Sequence, residues 1–332
     1  GGVADTVVCT AGSWSSTTNV AAASESADNT VADVAITVDH SDAGANAAIQ
    51  ATDTVIKDTI IPTVSSNVIA TNTYIIGDSL DVVVTFNENV TVGASERIQL
   101  TFDTMASGPV YANYVSGDGT NTITYSYTIV EGDEDTDGIA GALTIDTNGG
   151  SIVDAVGNAS DYNLVTTAFA TELVDGIKPT ITGVAIADNT YYIGEDIDVV
   201  LTFSENVDIA GGSPEMALTF ETMNGPPKVV YDSGTGTSSV TFRYVPVDGN
   251  EDTNGIDLPA VIALAGATIK DTNGNDSYLT LSATNFPAVI VDAILPTVTL
   301  AAALTIDATN VGTYALSGTC SENGQNVVLD IG

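Results

Sequence analysis

Two acidic runs carry the strongest chemical signal in the chain: Glu131-Gly-Asp133-Glu134-Asp135-Thr-Asp137-Gly138 and, 117 residues later, Asp248-Gly-Asn250-Glu251-Asp252-Thr-Asn254-Gly255. Oxygen donors at alternate positions, closed by a glycine, suit a hard cation, and Ca²⁺ takes 6 to 8 oxygens from carboxylates, amides and carbonyls. The runs are not EF-hands, because they lack the bidentate Glu at the twelfth position and lie between strands. Three more oxygen sets recur in register. These are Glu88 with Glu205, Asp154 and Asn158 with Asp271 and Asn275, and Asp58, Asp175 and Asp292. In a sandwich, strand ends meet at the poles, so the four sets are expected to converge where one domain meets the next, with Ca²⁺ stiffening the joint. Mg²⁺ fits less well, since it demands tight octahedral geometry. The competing reading is that Asp-Gly and Asn-Gly pairs are hairpin turns, which favour the same residues.

Other chemistry is poorly supplied. With 43 Asp and Glu residues, carboxylate pairs of the glycosidase kind arise by chance. The single histidine, His40, lies in Asp39-His40-Ser41-Asp42 with no glycine-framed nucleophile beside it, and reads as a polar turn residue. Of Lys57, Lys178, Lys228 and Lys270, none recurs in both repeats, which argues against isopeptide crosslinks. No enzymatic activity is expected.

The elements that must hold these residues are set by the repeat. Asp58-Thr-Ile-Ile-Pro62-Thr-Val, Asp175-Gly-Ile-Lys-Pro179-Thr-Ile and Asp292-Ala-Ile-Leu-Pro296-Thr-Val recur at a spacing of 117 residues, so the chain is an array. Within the first repeat Leu80, Val82, Val84 and Phe86 alternate with Asp81, Val83 and Thr85, the period of a half-buried strand. Ile98 with Leu100 and Phe102, and Ile123 with Tyr125 and Tyr127, alternate likewise, with Gly117-Asp118-Gly119 as a turn between. The second repeat matches at Met216, Leu218, Phe220, Val240, Phe242 and Tyr244. Many short strands with frequent turns predict an all-β chain of tandem immunoglobulin-like β-sandwiches in a linear rod, covering 58–174 and 175–291.

The flanks are each too short for a domain. Residues 292–332 and 1–57 joined tail to head make about one domain's length, and the join reads as a hairpin: Val327, Leu329 and Ile331 alternate, glycines follow, and Val3 and Val7 begin another run. A third sandwich split between the two flanks is therefore expected. Its halves belong to neighbouring units, which are either separate chains joined head-to-tail or adjacent repeats of one giant polypeptide. Across that join Cys9 and Cys320 are expected to form an inter-unit disulfide worth about 3 kcal/mol, with Trp14 nearby. The absence of a leader at Gly1 reads as a piece of something longer.

Lys and Arg total 6, giving a net charge of −37, which excludes electrostatically driven nucleic-acid binding and calls for cations. No segment reaches the length of a membrane span. The carriers Asp-x-x-x-Pro-Thr at each joint, Tyr-x-Ile-Gly with Phe-x-Glu-Asn-Val, and Asp-x-x-Gly-Asn resemble the bacterial immunoglobulin-like repeats of large surface adhesins and biofilm-associated proteins. The flanks resemble a second subtype, through Ser317-Gly-Thr-Cys320-Ser-Glu-Asn-Gly and Asp39-His-Ser-Asp42-Ala-Gly-Ala-Asn46, the last of which departs from the usual order. The resemblance implies an extracellular location at a bacterial cell surface or in a secreted fibre, calcium-rigidified extension and no catalysis. An S-layer protein, or a surface module binding carbohydrate or a host protein through Tyr111, Tyr114 and Tyr192, is the alternative.

Overall fold

The computed structural model describes residues 7, 13–15, 32–41, 44–301, 305 and 316–330. The chain is all-β, and the described residues fall into two units, 1–177 and 178–332. The pattern of alternating apolar residues explains both cores.

In the first unit the strand Ser79–Val92 is the axis of the main sheet. It pairs antiparallel with Val64–Ile69 on one side and Thr120–Thr128 on the other. The sheet continues through Val110–Ser116, Arg97–Thr101, Ile139–Gly141 and Ala168–Phe169. Every second side chain of the axial strand points inward, so Leu80, Val82, Val84 and Phe86 are buried and join Ile98, Leu100, Ile123 and Tyr125 in one core. A second small sheet places Leu173–Asp175 parallel to Thr73–Ile75 and antiparallel to Glu134–Asp135. Sheets on two sides of a shared core are the sandwich-like solution for strands with one apolar face.

The second unit repeats this plan. Its axial strand is Ile197–Ala210, flanked by Ile181–Ala185 and Thr237–Tyr244, and its small sheet joins Asn189–Tyr191, Val289–Ala293 and Asn250–Asp252. Ile197, Val199, Leu201, Val240 and Phe242 are buried. Tyr125 is replaced here by Phe242. The Tyr125 hydroxyl lies buried without a hydrogen-bond partner, so the phenol adds nothing that phenylalanine lacks.

Turn chemistry follows the sequence closely at Gly117. Its φ of 114° is open to glycine but not to residues with a Cβ, and a Cβ there would sit 2.1 Å from the Thr122 carbonyl oxygen. Outside the two repeat cores lie two strand pairs, Ala32–Val38 with Ala51–Lys57 and Val298–Leu300 with Gly318–Cys320. Val34, Ile36 and Val38 fall on the first, as their alternation predicts.

Candidate metal centres

The axial strand leaves its ladder at the position that matters most. Pairing with Thr120–Thr128 runs to Thr85 opposite Thr122 and resumes at Val90 opposite Thr120, so residues 86–89 face the single residue Asn121. The second repeat has the same bulge, between Thr202 and Val207. Bulges re-aim side chains, and these carry Glu88 and Glu205.

In the first unit Glu88 comes together with Asp58 and Asp154. One carboxylate oxygen from each lies within 4.8 Å of the others. Asp154 arrives because Ile152–Val153 pairs with Thr91–Val92 at the far end of the axial strand. Its Oδ1 accepts the backbone N–H groups of Val156, Gly157 and Asn158 at 2.7 to 2.9 Å, and its Oδ2 accepts the Asn158 side-chain amide at 2.7 Å. Burial works against its ionisation, but the Asn158 amide and the three N–H groups outweigh it and hold the carboxyl below its ordinary range. Asn158 also donates to the Asp58 carbonyl at 3.1 Å, tying the joint to the loop. Three carboxylates gathered this closely repel one another. A divalent cation would offset that repulsion and would find oxygen donors already oriented.

A second group gathers Asp103, Asp135 and Asp137 within the same limit. Asp103 Oδ2 accepts from the Thr136 N–H and hydroxyl, both at 3.0 Å. Asp135 is 3% exposed and accepts the Gly138 N–H at 2.7 Å. Burial pushes its carboxyl upward, aided by the Asp103 and Asp137 charges and opposed by the Gly138 N–H. Asp103 is the residue that sequence reasoning missed. Its signal was available, because it follows Phe102 at a strand end, as its counterpart Glu221 follows Phe220.

The second repeat closes this group differently. Asn254 stands where Asp137 does, and its side-chain amide donates to Glu221 Oε1 at 2.6 Å. Glu221 also accepts the Thr253 hydroxyl and N–H, which hold its carboxyl below the ordinary range, the Thr253 hydroxyl most and the Asn254 amide least. Asp252 Oδ1 accepts the Gly255 N–H at 2.6 Å. An amide thus does in repeat 2 what a cation would do in repeat 1.

Most of the remaining expected ligands are anchored by hydrogen bonds within their own loops. Asp133, fully buried, accepts from the Tyr127 hydroxyl at 2.8 Å and from the Val130 and Ala106 N–H groups. It therefore organises its loop and stays outside the Asp103 group. Burial first, then the Asp133 hydrogen bond, raises the Tyr127 phenol. Asn250 is the counterpart, accepting from Tyr244 at 2.6 Å and Val247 at 3.1 Å. Asp271 repeats the Asp154 wrap, with Asn273, Gly274 and Asn275 N–H groups on Oδ1 and the Asn275 amide on Oδ2. Asp175 Oδ1 accepts the Ile177 N–H at 3.2 Å, and Glu205 lies half-buried on its bulge. Asp292, exposed, lines a cleft of about 440 Å³ with Glu251, Thr253, Ser321 and Glu322. Cys320 is exposed, and its Sγ donates to the Glu322 carbonyl at 3.2 Å. Cys9, Asp42 and Val3 lie outside the described residues.

No family model matches the chain, and no curated protein does. Among solved structures, a Corynebacterium diphtheriae protein described only as membrane anchored aligns at 12% identity with a TM-score of 0.17, over 75% of this chain and 62% of its own. The chain thus spans less than two thirds of that protein, and so low a score carries no argument. Among the described residues no helix is long and apolar enough to cross a membrane.

Proposed function

We propose that the chain is a structural repeat unit of an extracellular bacterial filament or giant surface adhesin. In this reading 58–174 and 175–291 are tandem immunoglobulin-like sandwiches set in a linear rod. A third sandwich is divided between 292–332 and 1–57, units follow head-to-tail, and Cys9 and Cys320 bridge them. Ca²⁺ stiffens the acidic loops and joints. The observation that carries the proposal is the gathering of Asp58, Glu88 and Asp154, in which the joint, the bulge and the late loop of one repeat meet at three carboxylates. A site of this kind ties distant parts of the chain.

The binding-module alternative gains little from the tyrosines. Tyr111 lies under the Arg97 guanidinium at 3.9 Å. Tyr114 packs edge-on to Tyr125 with centroids 6.4 Å apart, which leaves Tyr192 as the outward one of the three.

Calorimetry with 1 mM Ca²⁺ against excess chelator tests the proposal. For a dissociation constant of about 10 µM the cation contributes roughly 2.7 kcal/mol, a rise of about 5 °C or more in Tm, with Mg²⁺ giving less. Identical melting in Ca²⁺ and chelator would remove calcium from the proposal.

A further inference from the structure

The strand pair in 292–330 reproduces the opening of each full repeat, bond for bond. Thr297 donates to Ser321 Oγ at 2.8 Å, Ser321 N–H returns to the Thr297 carbonyl at 2.9 Å, and Val298 faces Cys320. In repeat 2 Thr180 and Ser204 make the same exchange beside Ile181 and Phe203. In repeat 1 Thr63 and Asn87 do so beside Val64 and Phe86. Cys320 therefore stands in the place of two core phenylalanines, and Glu322 in that of Glu88 and Glu205.

The environments differ sharply. Val64 and Ile181 are each 8% exposed, whereas Val298 and Leu300 are each 63% exposed, and Val327, Val328 and Leu329 are also bare. An opening strand pair that two repeats bury is here uncovered, with Val298 and Leu300 two residues apart on one strand, and exposed apolar patches mark contacts.

The repeats also say what covers it. There the axial strand takes Thr120–Thr128 on its other edge and Ile152–Val153 beyond the opening strand, and Leu173–Asp175 closes the small sheet and runs into the next joint aspartate. Among the described strands, the pair left outside both full repeats besides this one is Ala32–Val38 with Ala51–Lys57, joined through seven register positions. Its second strand runs directly into Asp58, as Leu173–Asp175 reaches Asp175 and Val289–Ala293 passes through Asp292. By its place before the joint it is the closing end of a repeat. The loop between its strands carries Asp39 and Asn46, the residue types of the loop that supplies Asp154. Among the described residues, one flank thus carries the strand pair of a repeat's opening and the other a strand pair in the place of its close.

We infer that the strand pair Val298–Leu300/Gly318–Cys320 docks onto the hairpin Ala32–Val38/Ala51–Lys57 of a second copy of this chain, the two completing one sandwich. The inference rests on the reading of the chain as an end-to-end unit and assigns the strands that make the joint.

The test uses the full chain with Ca²⁺ in sedimentation velocity over a wide concentration range, comparing wild type with the double variant V298D/L300D and a control, V261D. Val261 is also half exposed, at 50%, but lies elsewhere. Two buried charges at about 1.4 kcal/mol or more each weaken association about 100-fold or more. The expected result is concentration-dependent association of wild type and V261D, loss of it in V298D/L300D, and an unchanged Tm for the repeats in all three. Equal association of wild type and V298D/L300D overturns the inference while leaving end-to-end assembly standing. A wild type that stays monomeric to about 100 µM, well past ordinary interface affinities, overturns it too, whatever V298D/L300D does to stability. In each case the calcium-dependent Tm shift is read separately on the same samples.

Discussion

At the residue scale, the two repeats form a natural mutant pair. Asp103, Asp135 and Asp137 collect three negative charges, and Glu221, Asp252 and Asn254 collect two and spend an amide on them. Replacing Asp137 by Asn should therefore stabilise the chelated protein, by about 0.5 kcal/mol given the exposure of the group, and should reduce the Tm gain on adding Ca²⁺. A chelated Tm that falls instead would show that Asp137 already has a cation-independent role. The sign of the pH effect follows from Asp135. Its folded pKa is raised, so the native state binds more protons than the unfolded chain, and metal-free stability falls as pH rises through the window from the unfolded value to the folded one. Asp154 runs the other way. Its folded pKa is depressed, so its contribution is present above the unfolded value and lost as pH falls through the folded one. Asp154, Asn158 and the joint Asp58 were legible from their recurrence alone. Asp133 was not separable from Asp135, because one-residue offsets along an irregular loop decide which carboxylate turns inward to Tyr127 and which faces Asp103.

At the element scale, alternation fixed the axial strands and their buried faces from Leu80 to Phe86, since a period of two leaves no choice of side. The bulge at 86–89 was not legible, because four residues facing one is a property of the pairing and not of the strand's own pattern. Turns are where local chemistry is most exacting. At Gly117 a Cβ meets both a forbidden φ and the Thr122 carbonyl, whereas at Gly77, with φ of 92°, nothing lies within 4 Å. Gly117→Ala should cost about 3 kcal/mol and Gly77→Ala about 1 kcal/mol, measured as shifts in the urea midpoint. Gly234, whose added Cβ would lie 2.2 Å from the Ser239 carbonyl oxygen, is the second-repeat copy of the severe case. Equal costs at Gly117 and Gly77 would mean that the backbone conformation alone, without the close approach, sets the penalty.

At the scale of the whole molecule, a net charge of −37 sets the terms. With Debye lengths near 10 Å at 0.1 M salt, raising NaCl in chelator should lift Tm by several degrees, on the order of 1 kcal/mol of relieved repulsion. Ca²⁺ should achieve at least as much at a thousandth of the concentration, because it acts at gathered oxygens and not on the general field. A salt response with no separate Ca²⁺ response would assign the acids to solubility alone. The all-β class and the repeat were plain in the sequence. A third sandwich divided between the flanks is an expectation of the sequence, and what the structure adds is the register of Thr297 with Ser321, the strand pairing that opens each full repeat.

The small sheet bears on how such a unit answers to pulling. Leu173–Asp175 lies parallel to Thr73–Ile75, so tension applied beyond Asp175 draws the last strand along its own axis, with the ladder's hydrogen bonds across the line of pull. Those bonds must slip together and cannot be unzipped one at a time. Under the proposed role in a fibre, resistance to force would be governed by the height of an unfolding barrier, and each repeat ends in such a short parallel pair.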